Sequence, residues 1–186
     1  EECKYWPDDE EILVFDDISV TVDSEETSED YTLRTIGVWM NGDNRRYIKQ
    51  FHYTSWPDMG VPMFDTGLLS FIKEVRSTET ISSTPTVVFC SASVVRTGTY
   101  IVIDAMLDMM EVEASVDILG YLKQIRGDRV DMVQTVHQCV CIYNALLEFH
   151  LKSVVQFPLS EFSSRIAHLK RLNPVTKTTF IEEEFQ

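Results

Sequence analysis

Cys90 and Arg96 frame a short stretch of chain with the makings of an anion site, Phe89-Cys90-Ser91-Ala92-Ser93-Val94-Val95-Arg96-Thr97-Gly98. A thiol ends an apolar run, and a guanidinium follows six positions later, where a helical pattern begins. Wrapped around an anion, the backbone N–H groups of Ser91, Ala92, Ser93, Val94, Val95 and Arg96 point inward as a nest. The helix N-terminus adds its positive end. Both effects favour a thiolate at Cys90. The fork of Arg96 suits two oxygens of one phosphate group. Cys90 is then a nucleophile toward phosphorus, and the Thr97 hydroxyl can bond the sulfur and assist its release. Asp58, in Trp56-Pro57-Asp58, is the natural acid for a departing oxygen and the later base for an attacking water. Gln134 and Gln138 suit the positioning of that water, because an amide both donates and accepts. Each residue also has a plainer reading. Cys90 alone reads as a core cysteine, Asp58 as a turn former beside Pro57, Gln134 as a residue of a helix start, and Thr97 as a first-turn residue.

These groups need a scaffold. Val20 and Val22 alternate with polar neighbours as in a short strand. Residues 31–40 and the stretch after Asn41-Gly42-Asp43 read as two strands joined by a turn, an antiparallel hairpin over 30–54. Two prolines and a glycine make 56–62 a loop. Leu68, Leu69, Ile72 and Val75 share one face of a helix over 66–76. Thr86–Phe89 has the composition of a short buried strand. Helices are predicted over 97–110, 115–126, 135–151 and 160–170. The stripe Ile101, Ala105, Met109 belongs to a packed helix face. Strands, then strand–loop–helix, then helices predict an α/β fold, a mixed, highly twisted sheet flanked by helices. The strand–loop–helix unit is where such folds bind anions.

The bulk numbers narrow the class. The chain has 186 residues, 44% hydrophobic and 25% charged, enough for a domain with a sizeable core. A net charge of −14 excludes the basic footprint of a nucleic-acid binder and a polybasic membrane surface. It does not exclude an anionic substrate, since a local cluster of amides and one Arg outweighs a distant, screened field. Cys3, Cys90, Cys139 and Cys141 form no metal-ligand spacing with each other or with the four scattered histidines. No metal or cofactor is expected, and the cysteine usage points to a reducing compartment. No apolar run reaches the ~18 residues of a membrane span. The chain opens mid-pattern at Glu1 and reads as part of a longer protein.

Four segments together, Cys3-Lys4-Tyr5-Trp6-Pro7, QFHYTSWPDMGVP, VVFCSASVVRTGTYIVIDAML and IRGDRVDMVQTVHQ, resemble the protein tyrosine phosphatase family in order and spacing. The likeness runs to about residue 147. It implies that Cys90 is the nucleophile, Arg96 the phosphate clamp, Asp58 the general acid, and Gln134 and Gln138 the water-positioning pair. Trp56 and Arg129 match positions that support the loops. The family carries His, Gly and Gly where Phe89, Ser93 and Val95 stand. The expectation is a Cys90 pKa above that of members with the His, and backbone strain at Val95 if that position needs a positive φ. Two functions follow. One is hydrolysis of phosphotyrosine in proteins through a cysteinyl-phosphate, at reduced rate. The other is a pseudophosphatase module that holds phosphotyrosine or a partner. Residues 1–155 read as the C-terminal two thirds of such a domain. Residues 156–186 resemble the connector toward a second domain in receptor-type members. That implies the cytoplasmic part of a membrane receptor, with phosphotyrosine proteins and a second domain in cis as partners. An apolar sheet edge beside Thr86–Phe89 is expected to leave the isolated segment poorly stable.

Overall fold

Alternating β-branched and polar residues between Leu13 and Tyr53 fold into four antiparallel strands in the order β1-β2-β3-β4. They are β1 (Leu13–Phe15), β2 (Ile18–Thr27), β3 (Tyr31–Met40) and β4 (Arg46–Tyr53). The computed structural model describes residues 4–8, 10–40, 43–57, 60–62, 66–79, 85–155 and 159–185. They divide into two compact units, Glu1–Glu148 and Phe149–Gln186. The predicted hairpin is β3–β4, with Tyr31 opposite Tyr53, Leu33 opposite Phe51 and Ile36 opposite Ile48. Of its turn, Asn41 and Gly42 lie outside the described residues. The Asp43 N–H donates to the Met40 carbonyl at 3.0 Å. β1 was not foreseen, because three residues are too few for a period to register.

One sheet face meets α1 (Thr66–Glu79) through aromatic rings. Phe71 lies edge-on or tilted against Tyr31, Phe51 and Tyr53 of the sheet and Tyr100 of α2 (Val95–Glu113), with centroids 5.0–6.3 Å apart. Leu68, Leu69, Ile72 and Val75 are all buried, as the helical spacing predicts. Arg76 fastens α1 to α2. It donates to the Asp104 carboxylate at 2.9 Å and to the Asp104 backbone carbonyl at 3.0 Å, and it also pairs with Asp108. Behind α2, its residues Val102, Ile103, Met106 and Leu107 form one core with Ile118, Leu122 and Ile125 of α3 (Ile118–Asp128) and Ile142, Ala145 and Leu146 of α4 (Val136–Val155).

Helix boundaries moved where caps decide them. α2 ends at Ala114, which takes a left-handed φ of 52° and returns its N–H to Met110 at 3.1 Å. α3 starts at Ile118 because the Asp117 carboxylate accepts the Gly120 N–H at 2.9 Å. In the second unit, α5 (Phe162–Leu169) follows a single 3-10 turn over Leu159–Glu161. α6 (Phe180–Phe185) was not foreseen. Its start is set by Glu182, which accepts both the N–H and the hydroxyl of Thr179 at 2.7 Å.

The α/β class stands, with the sheet antiparallel throughout among the described residues. Thr86–Phe89 differs from expectation. It has no ladder partner among the described residues, and Val87 and Phe89 are 80% and 57% exposed. A strand exists only through a neighbour's N–H and C=O groups, and β1–β4 pair among themselves.

The ring cluster around Phe71 carries the sheet-to-helix contact. Phe71→Ala is expected to destabilise the domain by about 3–5 kcal/mol, seen as a fall in its urea midpoint. A midpoint within error of the parent protein would show that these rings do not hold the sheet to α1.

Candidate active site

The loop from Cys90 to Arg96 folds back on itself. The Ser93 N–H and hydroxyl both donate to the Cys90 carbonyl, at 3.0 and 3.2 Å. The Gly98 N–H donates to the Val94 carbonyl at 2.9 Å, the first bond of the α2 entry. These turns bring residue 97 back to residue 90, so that the Thr97 hydroxyl donates to the Cys90 sulfur at 3.2 Å. Partial burial pushes the Cys90 thiol up. The Thr97 hydroxyl and the backbone N–H groups of Thr97, Val94 and Arg96 outweigh it, and the thiol sits below its ordinary value. The helix start therefore stabilises a thiolate although Phe89 offers no hydrogen bond.

The backbone strain is not where the sequence suggested. Val95 opens α2 and is absent from the described residues with positive φ; Ser93 carries φ 49°. Once Val95 lies in the helix, its β-branch faces an allowed backbone, and the fold-back at Ser93 takes the left-handed turn instead. Phe89 lies against Tyr5 at 5.8 Å between centroids, and the Tyr5 hydroxyl accepts from Gln50 of β4 at 2.5 Å. The neighbouring Trp6 covers the buried Arg34 guanidinium at 4.6 Å. The segment 4–7 thus links the sheet to the residue before Cys90.

Two arginines tie the loop to its surroundings. Arg96 donates to the Pro57 carbonyl at 3.4 Å, so Pro57 borders the end of the Cys90 loop. Arg129 donates to the Ala92 carbonyl at 3.2 Å. Trp56 is buried, lies edge-on to Tyr53, and donates its indole N–H to the Gly60 carbonyl at 3.3 Å. Gly60 has φ 86°, a conformation that favours glycine, and so closes that loop. Asp58, expected as the general acid, lies outside the described residues.

The glutamine segment follows Met132 and Val133, which lie against α2 at Gly98. Gln134 is exposed. Gln138 is buried, and its side-chain oxygen accepts the Thr135 N–H at 3.1 Å while the Thr135 hydroxyl accepts the Gln138 N–H at 3.3 Å. This reciprocal pair is a capping box at the start of α4. Its Thr-x-x-Gln spacing was readable and was missed. Gly98 was not singled out either. A Cβ there would lie 2.9 Å from the Val133 backbone nitrogen, so the first turn of α2 touches the segment that carries Gln134.

Comparison with known proteins decides the ancestry of this arrangement. The family model described as protein-tyrosine phosphatase matches residues 1–148. The chain belongs to the protein-tyrosine phosphatase family. It is 41% identical over 184 residues to receptor-type tyrosine-protein phosphatase U of Gallus gallus, covering 98% of this chain and 13% of that protein. Against receptor-type tyrosine-protein phosphatase alpha of Homo sapiens the identity is 42% over 193 aligned residues, covering 100% of this chain and 24% of the relative. Against the human epsilon form it is 39% over 195, covering 100% and 27%. The chain thus spans about a quarter or less of the length of most of these relatives.

Within this tyrosine phosphatase domain, the Thr97 hydroxyl and the N–H groups of Val94, Arg96 and Thr97 converge on the Cys90 sulfur, while the Arg96 guanidinium turns to the Pro57 carbonyl. The sign of the thiol shift gives a test. Donors to the sulfur favour its charged form, so removing one raises the pKa and moves the alkylation curve to higher pH. Thr97→Val is expected to slow iodoacetamide alkylation of Cys90 at pH 6 by about fivefold, the equivalent of one hydrogen bond of ~1 kcal/mol. An unchanged pH profile would remove Thr97 from the account.

Proposed function

We propose that this domain hydrolyses phosphotyrosine in proteins through a cysteinyl-phosphate. The observation that carries the reading is the hydrogen bond from Thr97 to the Cys90 sulfur, in a loop whose N–H groups hold that thiol below its ordinary value. The Cys90 thiolate attacks phosphorus, a sulfur–phosphorus bond forms, and the bond from phosphorus to the tyrosine oxygen breaks. Asp58 gives its proton to that oxygen. Arg96 and the N–H groups of residues 91–96 hold the equatorial oxygens, where charge gathers in the transition state, the Ser93 N–H leaving the Cys90 carbonyl to do so. A water set by Gln134 and Gln138 then attacks phosphorus and yields its proton to Asp58. The sulfur leaves as thiolate, stabilised by the Thr97 hydroxyl, and inorganic phosphate departs.

One observation favours the rival reading, a module that binds phosphotyrosine with little turnover. Ser93 stands in the left-handed region and ties its hydroxyl to the Cys90 carbonyl. That conformation costs about 1–3 kcal/mol, and it engages a loop residue that a bound phosphate also needs. Likeness to receptor-type relatives supports a wider setting. The domain would lie on the cytoplasmic side of a membrane receptor, act on phosphotyrosine proteins, and continue through residues 156–186 toward a second phosphatase-like domain. Among the described residues no helix is long and apolar enough to cross a membrane.

Hydrolysis of a phosphotyrosine peptide by the full-length protein, with its other domains inactivated, tests the reading. Turnover abolished by Cys90→Ser is the expected result. Equal rates for the two proteins, with phosphopeptide still bound, would favour the binding module. Ser93→Gly relieves the left-handed residue and is expected to raise kcat about three- to tenfold, the rate equivalent of ~0.6–1.4 kcal/mol. A rate no higher than the parent's would show that Ser93 does not limit it.

A further inference from the structure

Val133 is strained where no element boundary or glycine accounts for it. It is a β-branched residue, 2% exposed, with φ 59°. A β-branched residue in that region is an outlier that persists only where its surroundings over-determine it. Here two neighbours do so. From one side, Arg126 of α3 donates through Nε to the Met132 carbonyl at 2.9 Å and through a terminal nitrogen to the Val133 carbonyl at 2.5 Å. From the other, the first turn of α2 stands so close at Gly98 that even a Cβ would meet the Val133 nitrogen at 2.9 Å. The same turn of α2 carries the Arg96 N–H and the Thr97 hydroxyl, which bond the Cys90 sulfur. The residue after Val133 is Gln134.

We infer that Arg126 is a positioning residue for the second half of the reaction. It clamps the Met132–Val133 backbone against Gly98 and so fixes the direction in which Gln134 leaves the turn, relative to the Cys90 loop. The inference rests on the reading of Gln134 as the amide that sets the attacking water. The planar fork holds two successive carbonyls in one fixed geometry. A Lys at 126 keeps the charge but not that geometry. Cys90, its donors and Arg129 are untouched by that change, so formation of the cysteinyl-phosphate is expected to continue while its hydrolysis slows.

The test is Arg126→Lys in the full-length protein with its other domains inactivated, using p-nitrophenyl phosphate in rapid-mixing kinetics. The expected result is a nitrophenol burst of wild-type rate, followed by steady-state turnover lowered by about tenfold, as for loss of one hydrogen bond to a charged group. Backbone deuterium exchange over residues 131–135 is expected to rise in parallel, with the pH profile of Cys90 alkylation unchanged. A variant whose burst and steady-state rates both match the wild type, or fall by the same factor, overturns the inference and leaves the proposed function standing. Unchanged exchange over 131–135 overturns it as well. A wild-type protein that releases no nitrophenol, in a burst or at steady state, overturns the hydrolytic reading itself, and with it the role of Arg126 in hydrolysis.

Discussion

A hydroxyl seven residues along the chain must reach back to the Cys90 sulfur, and much of the surrounding structure serves that return. The distance of 3.2 Å between Thr97 and Cys90 demands a full reversal of the loop just as α2 begins. The reversal aims the N–H groups of Val94, Arg96 and Thr97 at the sulfur, which lowers the thiol pKa. A loop open by even an ångström or two would leave these donors to water and Cys90 an ordinary buried thiol.

Holding the loop closed has a conformational cost, and the structure places that cost at identifiable residues. Ser93 accepts a left-handed φ so that Val95 can begin a regular helix. Val133 accepts another so that the glutamine segment can lie against the same helix. Each is held by specific partners: Ser93 by the Cys90 carbonyl, Val133 by Arg126 and the bare flank of Gly98. The aromatic cluster of Phe71, Tyr100 and the sheet rings sets the position of α2 itself, and Arg76 secures it to α1. The loop is thus anchored at a helix whose other turns are fixed by the core.

Legibility differed between the elements and the site. The β3–β4 hairpin and the apolar face of α1 were readable because each is a periodic pattern a dozen or so residues long. α3 and α6 shifted or went unseen because single caps, at Asp117 and Thr179, outweigh weak periodicity in short segments. Thr86–Phe89 has strand composition but no ladder, since pairing is a property of two segments and composition of one. At the site, Cys90, Thr97 and Arg96 were readable as a spacing. The bracing by Arg129 onto Ala92 was readable only as a likeness to relatives. Arg126 left no signal in the sequence beyond being one of several charged residues on a helix.

By itself the sequence determined which groups are available. It supplied a thiol, a guanidinium and a hydroxyl within eight residues, a Trp-Pro-Asp loop, two amides, and the family to which this combination belongs. Local spacing suffices for that, because a loop entering a helix brings its own first and last residues together. Only the tertiary structure decided where the strain falls, at Ser93 and Val133 instead of Val95. Backbone angles in a closed loop depend on what the loop is closed against. The Cys90 loop is closed against Pro57 and Arg129, and Val133 against Gly98 of α2, too far along the chain for any local pattern to encode.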